Sequence, residues 1–359
     1  MNRDNLFGER KGLEVNMLVN SPQNIPNAAG KLVVANLPFG DPMAAIRIDR
    51  QKRWLFFDLG SFAQVSARTA HQISDIFISH AHVDHLCGLP WLLGRRINID
   101  SSCRVFGLPG LCDHWEAMVR AFVWDRVCDQ GPRFKIAELH GDTLQWWSLQ
   151  VGGGERVRLP DTPAHSGLLL EDPLFRVSAI TLDHGIPVLA YAFEELPSYT
   201  LQSEKIEAMG LQRGSWIAEL QSLYKARDLD ASLSLPDGSM RSVRWLAEQF
   251  LVSRRGQKIV YATDFAATVD NYTRLVEFAY RADLMVCESS YTSQDVEHAL
   301  RTGHNTAQHC AKLALDAQIG HLVPFHFSNR YVENPEVIYR EISDIFPSVE
   351  IPTAVQTQI

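Results

Sequence analysis

The sequence predicts an α/β protein folded as a four-layer αββα sandwich with one inserted segment. Short β-like runs gather in two groups, one in each half of the chain, with helical patterns between and after them. A sheet must bury one face against another layer, so two such groups pack as two sheets with helices outside. A further observation bears on the site. Residues of metal-ligand type follow the ends of several apolar runs, which is where α/β sheets carry their functional groups.

Residues 1–30 are polar and broken by Asn, Pro and Gly, and read as an N-terminal extension. Residues 31–359 read as one domain. Runs 32–37, 44–48 and 54–59 are strands bounded by Gly, Asp or charged turns. Run 75–79 (DIFIS) is a further strand and leads straight into a His-rich loop. Residues 86–93 could begin a helix that Pro90 complicates. A strand at 103–106 and a helix over 111–124 follow. Residues 131–173, rich in Gly, Pro and alternating runs, predict hairpins. Strands at 175–182 and 188–194 flank a turn holding His184. The segment at about 197–257 is polar, partly helical and weak in strand character, and reads as the insertion. Strands at 258–263, 284–288 and 321–325 alternate with helices at 269–281, 306–317 and 335–345. No internal repeat or low-complexity tract is present.

Composition narrows the class. With 34 Lys and Arg against 42 Asp and Glu, the net charge is −8. That argues against a broad surface for coating nucleic acid, and leaves room for a local basic patch. Six cysteines, at 87, 103, 112, 128, 287 and 310, form no Cys-x-x-Cys pair. They read as small buried side chains in a reducing compartment. The first residues lack the apolar core of a secretory signal, and no apolar run reaches the roughly 18 residues of a membrane span. A cytoplasmic protein without a membrane partner is the expectation.

Ser79 to Leu86 reads S-H-A-H-V-D-H-L, so three histidines and an aspartate fall within six residues. Imidazoles and carboxylates crowded at one strand end repel and desolvate each other unless a cation holds them. His80 and His82 are two apart on extended chain, point the same way and can grip one ion. Asp84 and His85 follow on the turn and suit a second ion. Divalent ions such as zinc favour His nitrogen and carboxylate oxygen and keep a position open for water. Three further residues repeat one pattern of apolar strand, ligand and turn: His184 in T-L-D-H-G-I-P, Asp264 in I-V-Y-A-T-D-F, and His326 in L-V-P-F-H-F-S-N-R-Y. Together they supply the ligands that a single motif lacks.

These segments, in this order, resemble the metallo-β-lactamase superfamily, and within it the ribonuclease Z branch of tRNA 3′-processing endonucleases. The matching stretches are F-F-D-L-G (56–60), S-H-A-H-V-D-H-L-C-G-L-P (79–90), D-H-G-I-P-V-L-A-Y (183–191), I-V-Y-A-T-D (259–264), C-E-S-S-Y (287–291), G-H-N-T-A (303–307) and H-F-S-N-R-Y (326–331). The resemblance implies the metallo-β-lactamase fold for the sandwich. It implies that His80, His82 and His184 hold one metal, that Asp84, His85 and His326 hold another, and that Asp264 bridges them. It implies that Asp84 orients or deprotonates the attacking water, that His304 is the general acid, and that Glu288 orients His304. Arg330 would contact substrate phosphate, with a structural salt bridge as its alternative role. Two divalent ions per chain, Zn²⁺ first and Mn²⁺ or Fe²⁺ as substitutes, and a homodimer are further implications. Trp146, Trp147 and residues 168–170 would fit such an interface, and core packing would explain them equally.

The expected activity is endonucleolytic cleavage of RNA at the 3′ trailer of pre-tRNA. The alternative is hydrolysis of small phosphodiesters or other small esters on the same metal site. Three departures count against tRNA: N-L-P-F-G-D-P-M (36–43) in place of a Gly-rich opening, S-F-A-Q-V (61–65) after F-D-L-G, and no Gly-Pro arm in 197–257; the missing arm and the acidic net charge favour the alternative. A non-catalytic binding module is a third reading, opposed by the full set of ligands. A flavin-linked oxygen-reducing relative lacks its carboxylate-rich iron site and partner domain here.

Overall fold

The computed structural model describes residues 30–35, 38–48, 51–62 and 65–351. The expected extension at 1–30 lies outside them apart from Gly30, as do parts of segments 36–43 and 61–65. Two compact units are present, one of residues 1–172, 176–193 and 258–359 and one of residues 173–175 and 194–257.

In the larger unit, eight strands run in chain order: β1 Gly30–Ala35, β2 Met43–Ile48, β3 Arg53–Phe57, β4 Ile73–Phe77, β5 Cys103–Gly107, β6 Arg133–His140, β7 Thr143–Gln150 and β8 Val157–Pro163. They form a single sheet in that same order. Strands β3 to β6 are parallel, and the flanking pairs are antiparallel. Helices α1 Ala67–His71, α2 Val83–Leu86, α3 Leu89–Arg95 and α4 Leu111–Arg120 provide the connections. Strands β9 Leu168–Glu171, β10 Phe175–Asp183 and β11 Pro187–Glu195 open the second sheet.

The smaller unit then follows. It holds β12 Ser198–Leu201, α5 Ser203–Ala208, α6 Ser215–Lys225, β13 Ser232–Ser234, β14 Met240–Ser242, α7 Val243–Phe250 and β15 Leu251–Arg254. Strand β12 pairs with β15, and β13 with β14. Trp216, Leu220, Leu233, Leu246 and Phe250 give this unit a hydrophobic core of its own.

The chain returns through β16 Lys258–Ala262, α8 Val269–Ala279, β17 Leu284–Glu288, α9 Val296–Thr302, α10 Ala307–Asp316, β18 His321–Phe325 and α11 Glu336–Ser343. The second sheet has the order β18-β17-β16-β11-β10-β9. Its three last strands are parallel.

Strand alternation separates two layers of side chains. In β3, Trp54 and Phe56 join the core under α1–α4, while Phe57 turns to the other side. There it stacks on Phe77 at 5.1 Å between centroids, and Phe77 stacks on Phe106 at 5.0 Å. From the second sheet, Tyr191 reaches Phe57 and Phe77, and Tyr261 lies between Phe57 and Phe325. This aromatic seam joins the sheets, and truncating Phe77 to Ala would cost about 3–5 kcal/mol. The outer face of the second sheet packs on α8, α10 and α11 through residues such as Leu275, Leu313, Ile338 and Tyr339. The layers are those of the αββα sandwich expected from sequence.

Local differences from the expectation have physical causes. The single helix at 86–93 is two helices, because Pro90 sits in the first turn of α3. A proline is tolerated there, where its missing N–H has no helical partner. Helix α4 stops at Arg120 rather than 124, and the Trp124 indole folds back to donate to the Val119 carbonyl at 2.8 Å. Leu169 and Leu170 are buried in β9 and are not available to an interface. Buried Arg96 donates to the carbonyls of Ala70, Ile73 and Ser101, which ties the end of α1 to the start of β4.

Candidate metal centre

Residues from distant parts of the chain converge at the ends of β3, β4, β10, β16 and β18. Asp264 is the centre. It follows β16, is 2% exposed and adopts a left-handed φ of 50°. Asp58 after β3 (φ 58°) and His326 after β18 (φ 57°) share this conformation. L residues adopt it at a cost, and it recurs where a functional side chain must be aimed off a strand end.

Asp264 is surrounded by histidines. Oδ2 lies 3.0 Å from His85 Nε2, 3.6 Å from His80 Nε2 and 4.0 Å from His184 Nε2. Oδ1 lies 2.9 Å from His326 Nδ1 and accepts from the Thr263 hydroxyl at 2.8 Å. Asp84 Oδ2 is 3.4 Å from His85 Nε2 and 3.6 Å from His326 Nε2. Separations of 3.4–4.0 Å are too long for hydrogen bonds. They suit atoms that each stand about 2.1 Å from one shared ion. His80, His82, His184 and Asp264 form one group whose donor atoms lie within 4.8 Å of one another, and Asp84, His85 and Asp264 form another.

Buried polar atoms without partners point the same way. His80 Nε2 is buried with no hydrogen bond, and His326 Nδ1 has none despite its short approach to Asp264. Orphaned nitrogens of this kind cost free energy unless something satisfies them. The residues present therefore fit a pair of divalent ions.

The backs of the rings are held. His85 Nδ1 meets Asp58 Oδ2 at 2.8 Å, and His184 Nδ1 meets the Gly303 carbonyl at 2.8 Å. Both contacts leave Nε2 facing inward, and such outer partners fix tautomer and orientation. Asp58 is itself fully buried. It accepts from the Ser79 N–H at 2.7 Å, the Ser79 hydroxyl at 2.8 Å and the Tyr261 hydroxyl at 2.8 Å. The seam tyrosine thus couples the packing of the sheets to the position of His85. The sequence reading gives Asp58 no role, although it ends an apolar strand just as Asp264 does.

Charge follows from these contacts. Burial and the neighbouring His85 lower His80 to about 3, so it is a neutral donor. Burial opposes charge on His85, but Asp58 and Asp264 hold it well above the usual imidazole range. Burial likewise opposes charge on His326, and Asp264 and Asp84 outweigh it. A carboxylate-rich centre thus draws positive charge onto two of its own rings.

A second pair adjoins the cluster. His304 Nδ1 lies 2.8 Å from Glu288 Oε2. Glu288 is fully buried; its Oε1 accepts from the Phe265 N–H at 2.7 Å and the Asn305 amide at 3.1 Å, and its Oε2 from the Ser290 hydroxyl at 3.0 Å. Burial would raise its pKa, but His304 leads the contacts that bring it down to about 2. Burial lowers His304, and Glu288 reverses this to raise it. Asn305 and Phe265 as supports of Glu288 have no signal in the sequence.

Of the residues singled out from sequence, the seven ligand candidates, Glu288 and His304 come together here. Arg330 does not join them directly. Its guanidinium pairs with Asp295 at 2.6 Å and lies 5.5 Å from the Tyr291 ring centroid.

Known proteins agree with this arrangement. A model of the metallo-beta-lactamase superfamily matches residues 47–170. The chain is 28% identical over 320 residues to a ribonuclease Z of Microcystis aeruginosa, covering 86% of each chain. It is 25% identical over 279 residues to a ribonuclease Z of Deinococcus radiodurans, covering 76% of this chain and 81% of the relative. The metallo-beta-lactamase fold protein YhfI from Bacillus subtilis resembles it in structure, with a TM-score of 0.51, 14% identity and coverage of 89% of this chain and 94% of that one. The chain is thus similar over residues 47–170 to the metallo-β-lactamase superfamily, and over most of its length to relatives that carry the name ribonuclease Z.

Proposed function

We propose that the chain is a dinuclear metal-dependent phosphodiesterase that cuts RNA, with the 3′ trailer of pre-tRNA as its substrate. His80, His82 and His184 would hold one ion, Asp84, His85 and His326 the other, and Asp264 would bridge them. The observation that carries this reading is the central place of Asp264, whose Oδ2 faces His80, His85 and His184 and whose Oδ1 faces His326, with the Glu288–His304 pair alongside.

Divalent ions, when bound, supply charge neutralisation for the phosphoryl oxygens and a water of lowered pKa. The chain's own residues do the rest. Asp84, half-exposed beside His85 and His326, orients the attacking water and accepts its proton. Glu288 fixes Nδ1 of His304, which leaves Nε2 to protonate the leaving oxygen. Zn²⁺ suits this mixture of imidazole and carboxylate, and Mn²⁺ or Fe²⁺ can substitute.

The test is incubation of the purified protein with a 3′-extended pre-tRNA and Zn²⁺ or Mn²⁺. Cleavage after the discriminator nucleotide supports the reading. Hydrolysis of bis-p-nitrophenyl phosphate with no cleavage of pre-tRNA rejects it in favour of small phosphodiesters. One observation favours that second reading: residues 194–257 carry eight Lys and Arg against nine Asp and Glu, so they form no basic arm.

We further read the protein as a cytoplasmic homodimer. Among the described residues, five cysteines are free thiols, in keeping with a reducing compartment. Among the described residues, no helix is long and apolar enough to cross a membrane. Sedimentation at micromolar concentration tests the dimer.

A further inference from the structure

A cavity of about 640 Å³ opens between α3 and the segments that flank β2 and β3. Such a volume falls in the range of roughly 300–1,000 Å³ that holds small ligands. Its wall includes Cys87, whose Sγ lies 3.7 Å from the carbonyl oxygen of Asp84. The cavity therefore begins within one helical turn of a residue we assign to the second ion.

Two aromatic rings, Phe62 and Trp91, and one cation, Arg95, stand in its lining. Phe56 and Phe62 stack at 5.6 Å with their planes 5° apart, and Phe62 stacks on Trp91 at 4.9 Å. Trp91 ends this column of three rings and is only half-buried. Arg95, one helical turn on, places Cζ 5.5 Å from the Trp91 ring centroid. Arg95 is exposed, and among the described residues no carboxylate pairs with it. The hydroxyl of Ser61 and the carboxylate of Asp41 add polar groups to the wall. A column of rigid aromatics, a guanidinium over its outer ring and polar groups at the edge form a combination that receives an unstacked base.

We propose that this cavity is a base-stacking subsite for one nucleotide of the substrate, with Trp91 as the platform and Arg95 as its cationic partner. The inference rests on the nuclease reading and deepens it. It assigns to α3 the task of gripping a base next to the scissile phosphate, which contacts to backbone phosphate alone would not achieve.

Two measurements on the full chain test it. The first compares kcat/KM for a cleavable RNA with that for the same RNA carrying one abasic nucleotide, moved position by position around the scissile bond. The wild type should lose about ten-fold at one position. In Trp91→Ala that position should no longer matter, and Trp91→Phe should restore most of the preference. The second measurement titrates AMP and GMP against tryptophan fluorescence. Nucleotide should quench the wild type, and Trp91→Ala and Arg95→Ala should weaken the quench at least about five-fold in affinity. Equal abasic profiles and equal nucleotide affinities in wild type and variants would overturn the subsite. Failure of the nuclease reading looks different: the wild type itself would cut no RNA while hydrolysing bis-p-nitrophenyl phosphate. In that case the fluorescence titration alone decides whether the cavity binds a base.

Discussion

Asp58 and His85 stand 27 residues apart, and the carboxylate of one meets Nδ1 of the other at 2.8 Å inside a fully buried pocket. The contact turns His85 Nε2 toward Asp264 and Asp84. Removing the carboxylate as Asp58→Ala should weaken divalent-ion affinity about 10–100-fold. Competition with a chelating dye measures this. Tyr261→Phe, which deletes one donor to Asp58, should cost less. Unchanged affinity in Asp58→Ala would remove the orienting role.

Asp264→Ala should lose both ions together, because its carboxylate touches histidines assigned to each of them, His80 and His184 on one side and His85 and His326 on the other. Metal analysis by mass spectrometry should fall from about two ions per chain to less than one, and hydrolysis should fall by about 10³-fold or more. Loss of only one ion would show that Asp264 does not bridge.

The Glu288–His304 pair gives a pH signature. An acid that must be protonated loses function as pH rises through its pKa. Glu288 raises that pKa, so the basic limb of kcat should move to lower pH in Glu288→Gln. His304→Gln should lower kcat about 10²–10⁴-fold while keeping both ions. A pH profile in Glu288→Gln that overlays the wild type would separate the pair from proton transfer.

Gly303 has φ +73°, and a Cβ there would meet His184 Nδ1 at 3.1 Å and the His184 carbonyl oxygen at 3.2 Å. Gly303→Ala should cost about 1–2 kcal/mol in backbone conformation. It should also tilt His184 and selectively weaken the ion assigned to His80, His82 and His184. A metal titration should then resolve two affinities further apart than in the wild type.

Chelation should abolish hydrolysis and lower the melting temperature by several degrees, since ions that bind only the folded state stabilise it. Adding back Zn²⁺ or Mn²⁺ should restore both. A melting curve indifferent to chelator would argue against ions inside this cluster.

Much of the centre is legible in the sequence. His80, His82, Asp84 and His85 are local and stand out as a crowded string. His184, Asp264 and His326 are recoverable because each ends an apolar run that reads as a strand. Asp58 ends such a run too, but its partner Tyr261 lies 203 residues away, and no spacing rule connects them. The support of Glu288 by the Phe265 backbone is equally silent, since a main-chain donor leaves no mark on residue type. Trp124 folds back onto the Val119 carbonyl just past the end of α4, a local side-chain contact that helical periodicity does not register. The segment at 197–257 reads as polar, partly helical and weak in strand character, and its core of Trp216, Leu220, Leu246 and Phe250 is not evident because it is spread over short elements.

The left-handed turns at Asp58, Asp264 and His326 divide the centre among three stretches of chain made at widely different times during synthesis. A nascent polypeptide that has reached residue 300 carries the string at 80–85, His184 and Asp264, yet it lacks both His304 and His326. On the proposed assignment it lacks one ligand of the second ion and the general acid, so the site is completed only by the last core strand and the helical stretch before it.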